Sequence, residues 1–234
     1  MNIDLHSYPP FSGKEIVGPK LLPQQGYSNE NYIFYAEEKP YLLRKFKLED
    51  RNRELEYRVQ LLAYEKGIAA QPLILDLSKN MMVCEFLEGE HKTLLKKEDL
   101  AKLATVLKKV HCLQTDAEVM QLETMFGSIS DGLKEAFRVI ETFPEEPVLC
   151  HNDPNPKNLI FSASGLKLID WEFAGINDRY FDLAAVSVEF NLDLLDEAYF
   201  LASYFRMERW EKEKLEAYKT VYKALCEQWF QSNT

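Results

Sequence analysis

The sequence predicts an α+β protein of two lobes, a small β-rich lobe over residues 1–87 and a larger, mainly helical lobe over residues 88–234. Three observations carry that expectation. Before residue 88, short β-branched and aromatic runs alternate with turn-like segments; after it, apolar residues recur mostly at helical spacing; and between residues 144 and 175 short apolar runs return around a polar loop. The size agrees. A chain of 234 residues with 46% hydrophobic side chains is long enough for one large core or two smaller ones, and it contains no repeat and no low-complexity tail.

In chain order, residues 31–35 and 41–46 form two such runs, joined by the turn-like Glu37-Glu-Lys-Pro40, and predict a β-hairpin. Leu55, Val59 and Leu62 then recur at helical spacing until Gly67, a residue suited to a helix stop, so a helix of about four turns follows the hairpin. Residues 72–76 and 81–86 read as a second strand pair around Ser-Lys-Asn. Leu100, Leu103, Leu107 and Val110 share one helical face and open the second lobe. Residues 148–150, 159–161 and 166–169 are short apolar runs separated by polar turns, and from Phe181 onward the pattern is helical, ending with Tyr218, Tyr222, Leu225 and Trp229.

The charge balance narrows the function classes. With 28 basic against 38 acidic side chains, the formal net charge is −10. No Lys/Arg-rich block supplies a footprint for nucleic acid, and an anionic membrane surface repels such a chain. Cys84, Cys112, Cys150 and Cys226 are widely spaced, with no CxxC pair and no zinc-type spacing around the histidines, which fits reduced thiols in a cytoplasmic protein. The first residues lack a signal-peptide pattern, and no stretch approaches the roughly 18 apolar residues of a membrane span.

The segment Cys150-His-Asn-Asp-Pro-Asn-Pro-Lys-Asn-Leu-Ile-Phe161, followed by Leu168-Ile-Asp-Trp-Glu172, sets polar side chains in a loop between apolar strands. It fits the template His-x-Asp-x-x-x-x-Asn with a further Asp at the end of the next strand: His151, Asp153, Asn158 and Asp170. Phosphoryl transfer from ATP needs Mg²⁺ across the phosphates, hard oxygen ligands to hold it, and a carboxylate to accept the nucleophile's proton. Asn158 and Asp170 supply the ligands, Asp153 supplies the base, and His151 orients the loop by hydrogen bonding. Taken singly, Asp-Pro and Asn-Pro are common turn pairs, so the joint pattern carries the argument.

The stretch from Cys150 to Leu183, with Ile169-Asp-Trp-Glu-Phe-Ala-Gly175 and Phe181-Asp-Leu183, resembles the aminoglycoside phosphotransferase and choline kinase superfamily, which implies a protein-kinase-like fold. Asp-Trp-Glu-Phe-Ala-Gly and Asn177-Asp-Arg-Tyr-Phe-Asp-Leu-Ala184 are most similar to bacterial choline kinases; the segment from Met82 to Thr93 and the Ser-Ala-Ser-Gly-Leu-Lys-Leu run are similar to bacterial thiamine kinases. The resemblance implies that Asp153 is the base, that Asn158 and Asp170 bind magnesium, and that Arg44 takes the place of a phosphate-binding Lys. Glu56, 11 residues before Gly67, is its expected helix partner, with Glu54 a competitor and a solvated charge face the alternative for all three. It also implies that the loop Gln24-Gln-Gly-Tyr-Ser-Asn-Glu-Asn31, with Ser28 and Asn29, covers the phosphates, and that backbone groups from Glu85 to Leu87 hold the adenine.

The acceptor that follows is a small cationic alcohol, choline or ethanolamine first and thiamine second. An aminoglycoside phosphotransferase and a non-catalytic nucleotide-sensing module are the other readings. A permanent cation is held by aromatic faces and carboxylates, and the candidates are Trp171, Trp210, Tyr222 and Trp229 with Glu172 and Glu189. Choline kinases that the sequence resembles carry two Trp residues three apart near the C-terminus; here Cys226 stands in the first place and only Trp229 matches, which weakens the choline assignment.

Overall fold

The structure is a computed structural model that describes residues 3–233 except Gln24 and Glu49, with side chains through Gln231. The chain divides into two compact units, Met1–Gly89 and Glu90–Thr234.

The first unit is a five-stranded antiparallel sheet with one helix. Its strands are β1 (Ile16–Leu21), β2 (Asn29–Ala36), β3 (Lys39–Phe46), β4 (Pro72–Asp76) and β5 (Met81–Glu85), in the order β1-β2-β3-β5-β4, and α1 (Arg53–Glu65) connects β3 to β4. Period-two alternation assigns each residue of β3 to a face. Tyr41 and Leu43 join Phe11, Phe34, Ile74, Met81 and Val83 in a core closed by the N-terminal 3₁₀ turns, with Phe11 packed edge-on against Phe34 and Tyr41 at 5.1 and 4.9 Å. The opposite face carries Arg44 and Phe46 toward α1. There Ala70, Met82 and Cys84 form a second cluster with Tyr57 and Leu75, and the Gln60 amide donates to the Ala70 carbonyl at 3.1 Å.

The ends of α1 follow from its sequence. The Asn52 side chain caps the first turn through the Leu55 N–H, and Gly67 takes a φ of +72° just past the last turn. The β2–β3 turn differs from expectation. Lys39 and Pro40 are already in β3, and the reversal is made by Glu37 and Glu38 alone, both at positive φ (50° and 66°). The right-handed strand twist asks for that conformation in a two-residue hairpin, even from residues less suited to it than Asn-Gly.

The second unit contains α2 (Lys97–His111), α3 (Asp131–Glu141), α4 (Arg179–Glu189), α5 (Leu194–Phe205) and α6 (Lys212–Asn233), with strands β6 (Pro147–Cys150), β7 (Leu159–Ser162), β8 (Gly165–Leu168) and β9 (Gly175–Asp178) between α3 and α4. β6 pairs with β9 and β7 with β8, both antiparallel. Every residue of α4 from Tyr180 to Ser187 is buried, the signature of a helix packed on all sides. α6 packs on α3 and α4, and α2 packs on α5. The buried Lys214 ammonium fastens the start of α6 to the β6–β9 pair, reaching Asp178 at 2.7 Å, Glu146 at 3.2 Å and the Pro144 carbonyl at 2.7 Å. Among the described residues no helix is long and apolar enough to cross a membrane.

Candidate active site

The polar loop joins β6 to β7, and its shape is fixed from both sides. Buried His151 accepts the Asp153 N–H at its Nδ1 (3.3 Å), so Nε2 carries the proton and donates to the Ile169 carbonyl at 3.0 Å. Burial lowers the imidazole's pKa and favours this neutral form. Asn152 sits in the left-handed region at φ 65°; its amide donates to the Phe173 carbonyl at 2.9 Å and accepts from Asn177 Nδ2 at 2.9 Å. The structure thus places His151 as a hydrogen-bonding brace whose two nitrogens both face backbone.

Asp153 is partly buried at the loop's centre. Asn155 Nδ2 donates to its Oδ1 at 2.8 Å, and Asn158 Nδ2 donates to its Oδ2 at 2.7 Å and its carbonyl at 3.0 Å. Burial pushes the carboxyl up to about 7; the Asn155 and Asn158 hydrogen bonds oppose the rise, and the charges of Asp170 and Glu189 add to it. The β7–β8 hairpin brings the other two groups together. Leu159 pairs with Leu168, and the Ile169 N–H donates to the Asn158 carbonyl at 3.0 Å, which sets Asn158 beside the residue preceding Asp170. Asp170 itself is left-handed, φ 63° and ψ 67°, at the end of β8.

Asp182 is a residue that the sequence reading did not assign. Completely buried on α4, it accepts the His151 N–H at 2.9 Å and the Asn152 N–H at 2.8 Å. The signal was present in the sequence: a carboxylate inside the run Tyr180-Phe-Asp-Leu-Ala-Ala-Val186 must find donors when the helix is buried.

Of the acceptor candidates, Glu189 lies at the end of α4, accepts the Tyr222 hydroxyl at 2.9 Å, and stands close enough for its charge to act on Asp153. Tyr222 and Cys226, one turn apart on α6, line the same region. Burial, then the Asp153 charge, raises the Tyr222 hydroxyl, and burial pushes the Cys226 thiol up to about 11. Glu172 is partly buried in the short turn after Asp170. Trp229 is partly buried two turns beyond Tyr222 and packs edge-on with Phe230 at 5.2 Å. Trp171 is a correction: at 1% exposure it is core, its ring against His151 at 4.7 Å and its indole N–H donating to the Leu168 carbonyl. Trp210 sits in the connection between α5 and α6.

Within the first unit, buried Arg44 meets Glu56 at 2.5 Å, and Arg53 meets the other oxygen of Glu56 at 2.7 Å. Glu54 is exposed, so the partner of Arg44 is Glu56 and the cluster is no solvated charge face. Burial alone would raise the Glu56 carboxyl, but the two guanidinium groups outweigh it and hold it below the usual range. Asn29, with its amide oriented to satisfy both atoms, accepts from Arg44 Nη2 at 2.8 Å and donates to the carbonyl of buried Ser28 at 3.0 Å. Gln24, at the start of the expected phosphate loop, lies outside the described residues. Glu85 departs from the expected adenine contact in one respect: its N–H donates to the Gln71 carbonyl at 2.9 Å, while its side chain holds Lys39. Leu87 follows β5 and packs on the Met82–Cys84 cluster.

Residues 131–219, which contain this loop, Asp170 and Asp182, match the phosphotransferase enzyme family. Over that segment the chain is similar to this family. Protein LicA of Haemophilus influenzae is 26% identical over 176 residues, 65% of this chain and 66% of LicA; thiamine kinase of Escherichia coli (strain SMS-3-5) is 36% identical over 124 residues, 47% of this chain and 44% of that enzyme. In both cases the match spans less than two thirds of the relative's own length. The choline kinase LicA from Streptococcus pneumoniae superposes with a TM-score of 0.75 at 22% identity, covering 92% of this chain and 85% of that one, and a LicA structure in complex with AMP gives 0.76 at 22% identity over 95% and 85%. At these identities the likeness is one of fold, the kinase-like fold expected from the sequence.

Proposed function

We propose that this chain is a cytoplasmic, ATP- and magnesium-dependent kinase that transfers the γ-phosphate to the hydroxyl of a small cationic alcohol, choline or ethanolamine first. The observation that carries the reading is the grouping of Asp153, Asn158 and Asp170 around one hairpin, with the Glu189–Tyr222 pair close to Asp153. Asp153 accepts the hydroxyl proton at its carboxylate, oriented by Asn155, Asn158 and the His151 brace. The donor set fits a hard cation: the Asn158 amide nitrogen is committed to Asp153, so its side-chain oxygen would be the ligating atom, and the Asp170 carboxylate would be the second ligand. When bound there, magnesium supplies charge neutralisation across the phosphates. Arg44, aligned by Glu56 and Asn29, offers a fixed guanidinium to a phosphate, and Ser28, Asn29 and the backbone from Glu85 to Leu87 complete the nucleotide's contacts.

Glu172, Glu189, Tyr222 and Trp229 are assigned to the acceptor's cationic nitrogen, each aromatic contact contributing about 0.5–2 kcal/mol. Thiamine, which shares the cation and the primary alcohol, is the second reading, favoured by the 36% identity to thiamine kinase. A coupled ADP-release assay with choline, ethanolamine, thiamine and an aminoglycoside tests the assignment: one of the first three is expected to raise turnover well above the background ATPase, and a response to none overturns it. Asp153→Ala is expected to abolish transfer while ATP affinity stays within about threefold, because the base faces the acceptor and not the nucleotide.

A further inference from the structure

Behind the loop lies a buried chain of polar side chains that the transfer chemistry itself does not use. The two amides that Asp182 accepts, those of His151 and Asn152, immediately precede the Asp153 backbone. The oxygen that holds the His151 amide, Oδ2, also meets Nε2 of His111 on α2 at 3.1 Å. The other ring nitrogen of His111, Nδ1, lies 2.6 Å from the Tyr204 hydroxyl on α5. His111 and Asp182 are both buried, at 8% and 0% exposure.

The chemistry gives this chain a direction. An ionised carboxylate only accepts, so Nε2 of His111 is the protonated nitrogen, and in a neutral ring Nδ1 then accepts the Tyr204 O–H. Cys150, the third polar group at this point, turns its thiol toward the Asp178 carbonyl at 3.5 Å and leaves His111 as the side-chain donor to Asp182. Asp182 already ties the loop to α4 through its two amide contacts. The His111 contact from α2 fixes the direction in which that carboxylate points.

We propose that His111 is a positioning residue for phosphoryl transfer: through Asp182 it fixes the His151 and Asn152 amides, and so sets the place of Asp153. The inference rests on the kinase reading for its kinetic consequence, but its structural half can be tested without turnover. Two variants separate the donor from the shape, His111→Leu, which fills space and donates nothing, and His111→Gln, whose amide nitrogen stands near the position of Nε2. His111→Leu is expected to lower kcat by about 10- to 100-fold, with the KM values for ATP and acceptor within about twofold, since a small misplacement of a catalytic group costs that much in rate. His111→Gln is expected to recover most of the loss. Tyr204→Phe, which keeps the ring and frees Nδ1 to compete for the proton, is expected to fall between them and serves if the Leu variant does not fold.

Amide hydrogen exchange followed by NMR gives the second readout. The His151 and Asn152 amides are expected to exchange at least about tenfold faster in His111→Leu or Tyr204→Phe, and at the native rate in His111→Gln, while the amides of α4 stay unchanged. Wild-type exchange and kcat in the variants that remove or weaken the donor, no rescue by Gln, or acceleration spread evenly over α2, α4 and α5 would each overturn the proposal. If the wild-type protein turns over none of the acceptors, the kinase reading fails, and the exchange pattern still decides whether His111 holds the loop.

Discussion

Each unit of the molecule buries one carboxylate beside the residues assigned to its chemistry, and the two are satisfied in different ways. Glu56 in the first unit is held by the side chains of Arg44 and Arg53. Asp182 in the second is held by two backbone amides and one imidazole. The first arrangement aligns a side chain and balances charge against charge. The second fixes a backbone, and every donor to it is lost together if the carboxylate goes. The first unit is therefore the one sensitive to protonation, and the second the one sensitive to geometry.

The largest loss is expected at Asp182. Replacing it with Ala leaves two loop amides and the His111 N–H buried without an acceptor, an expected cost of about 3–5 kcal/mol, together with loss of transfer. All three tryptophans, Trp171, Trp210 and Trp229, lie in the second unit, so tryptophan fluorescence follows that unit alone. The Asp182→Ala denaturation midpoint by fluorescence should fall accordingly. An unchanged midpoint would mean that the loop amides have found other partners.

Glu56→Gln is the matching change in the first unit and should be somewhat milder, about 3 kcal/mol, because a neutral amide still accepts one hydrogen bond while the two guanidinium groups lose their counter-charge. Its mark is a lower midpoint by far-UV circular dichroism with the fluorescence transition unmoved, and a KM for ATP raised about tenfold through the misaligned Arg44, with the acceptor KM unchanged.

Acid sharpens the same contrast. The folded pKa of Glu56 lies below its unfolded value of about 4.3, so its contribution is complete above that value and is lost as the pH falls through the folded one. Asp76, lowered to about 2 by hydrogen bonds from Ser78 and Tyr8, acts in the same sense in the same unit. The first unit should therefore lose stability between about pH 4 and pH 2, and Glu56→Gln should flatten that limb of the titration. An acid limb equally steep in the variant would assign the loss to other carboxylates.

The two units also differ in how far their sequences could be read. The β2–β3 and β4–β5 pairs, α1 and the polar loop declare themselves because alternation, helical spacing and turn residues all point the same way there. β1 does not. Gly18 and Pro19 interrupt it, it lies at the sheet edge with most residues exposed, and its register shifts between Val17 and Lys20. β9, Gly-Ile-Asn-Asp, has a turn's composition and becomes a strand only because β6 supplies its partner. Within the site, the pattern His-x-Asp-x-x-x-x-Asn was legible because its spacing is local. The grouping of Asp153 with Glu189 and with Tyr222 and Cys226 joins three segments more than 30 positions apart, and no periodicity encodes it. Trp171 shows the reverse error: an aromatic next to a candidate ligand suggests a cation site, whereas its neighbours on both sides make it the floor under His151.

The smallest expected effect belongs to Glu54, two residues before Glu56 in the same helix start. Both carboxylates lie in the first turn of α1, where the helix dipole favours negative charge, and sequence spacing alone distinguishes them poorly. Exposure separates them: Glu54 faces solvent, and Glu56 faces two guanidinium groups at 1% exposure. Glu54→Gln removes only a screened dipole interaction and should change stability by less than about 0.5 kcal/mol, with no change in the KM for ATP. A loss comparable to that of Glu56→Gln would mean that the α1 start is held by its total charge and not by the individual pairing of Arg44 with Glu56, and the distinction drawn between the two buried carboxylates would fail in the first unit.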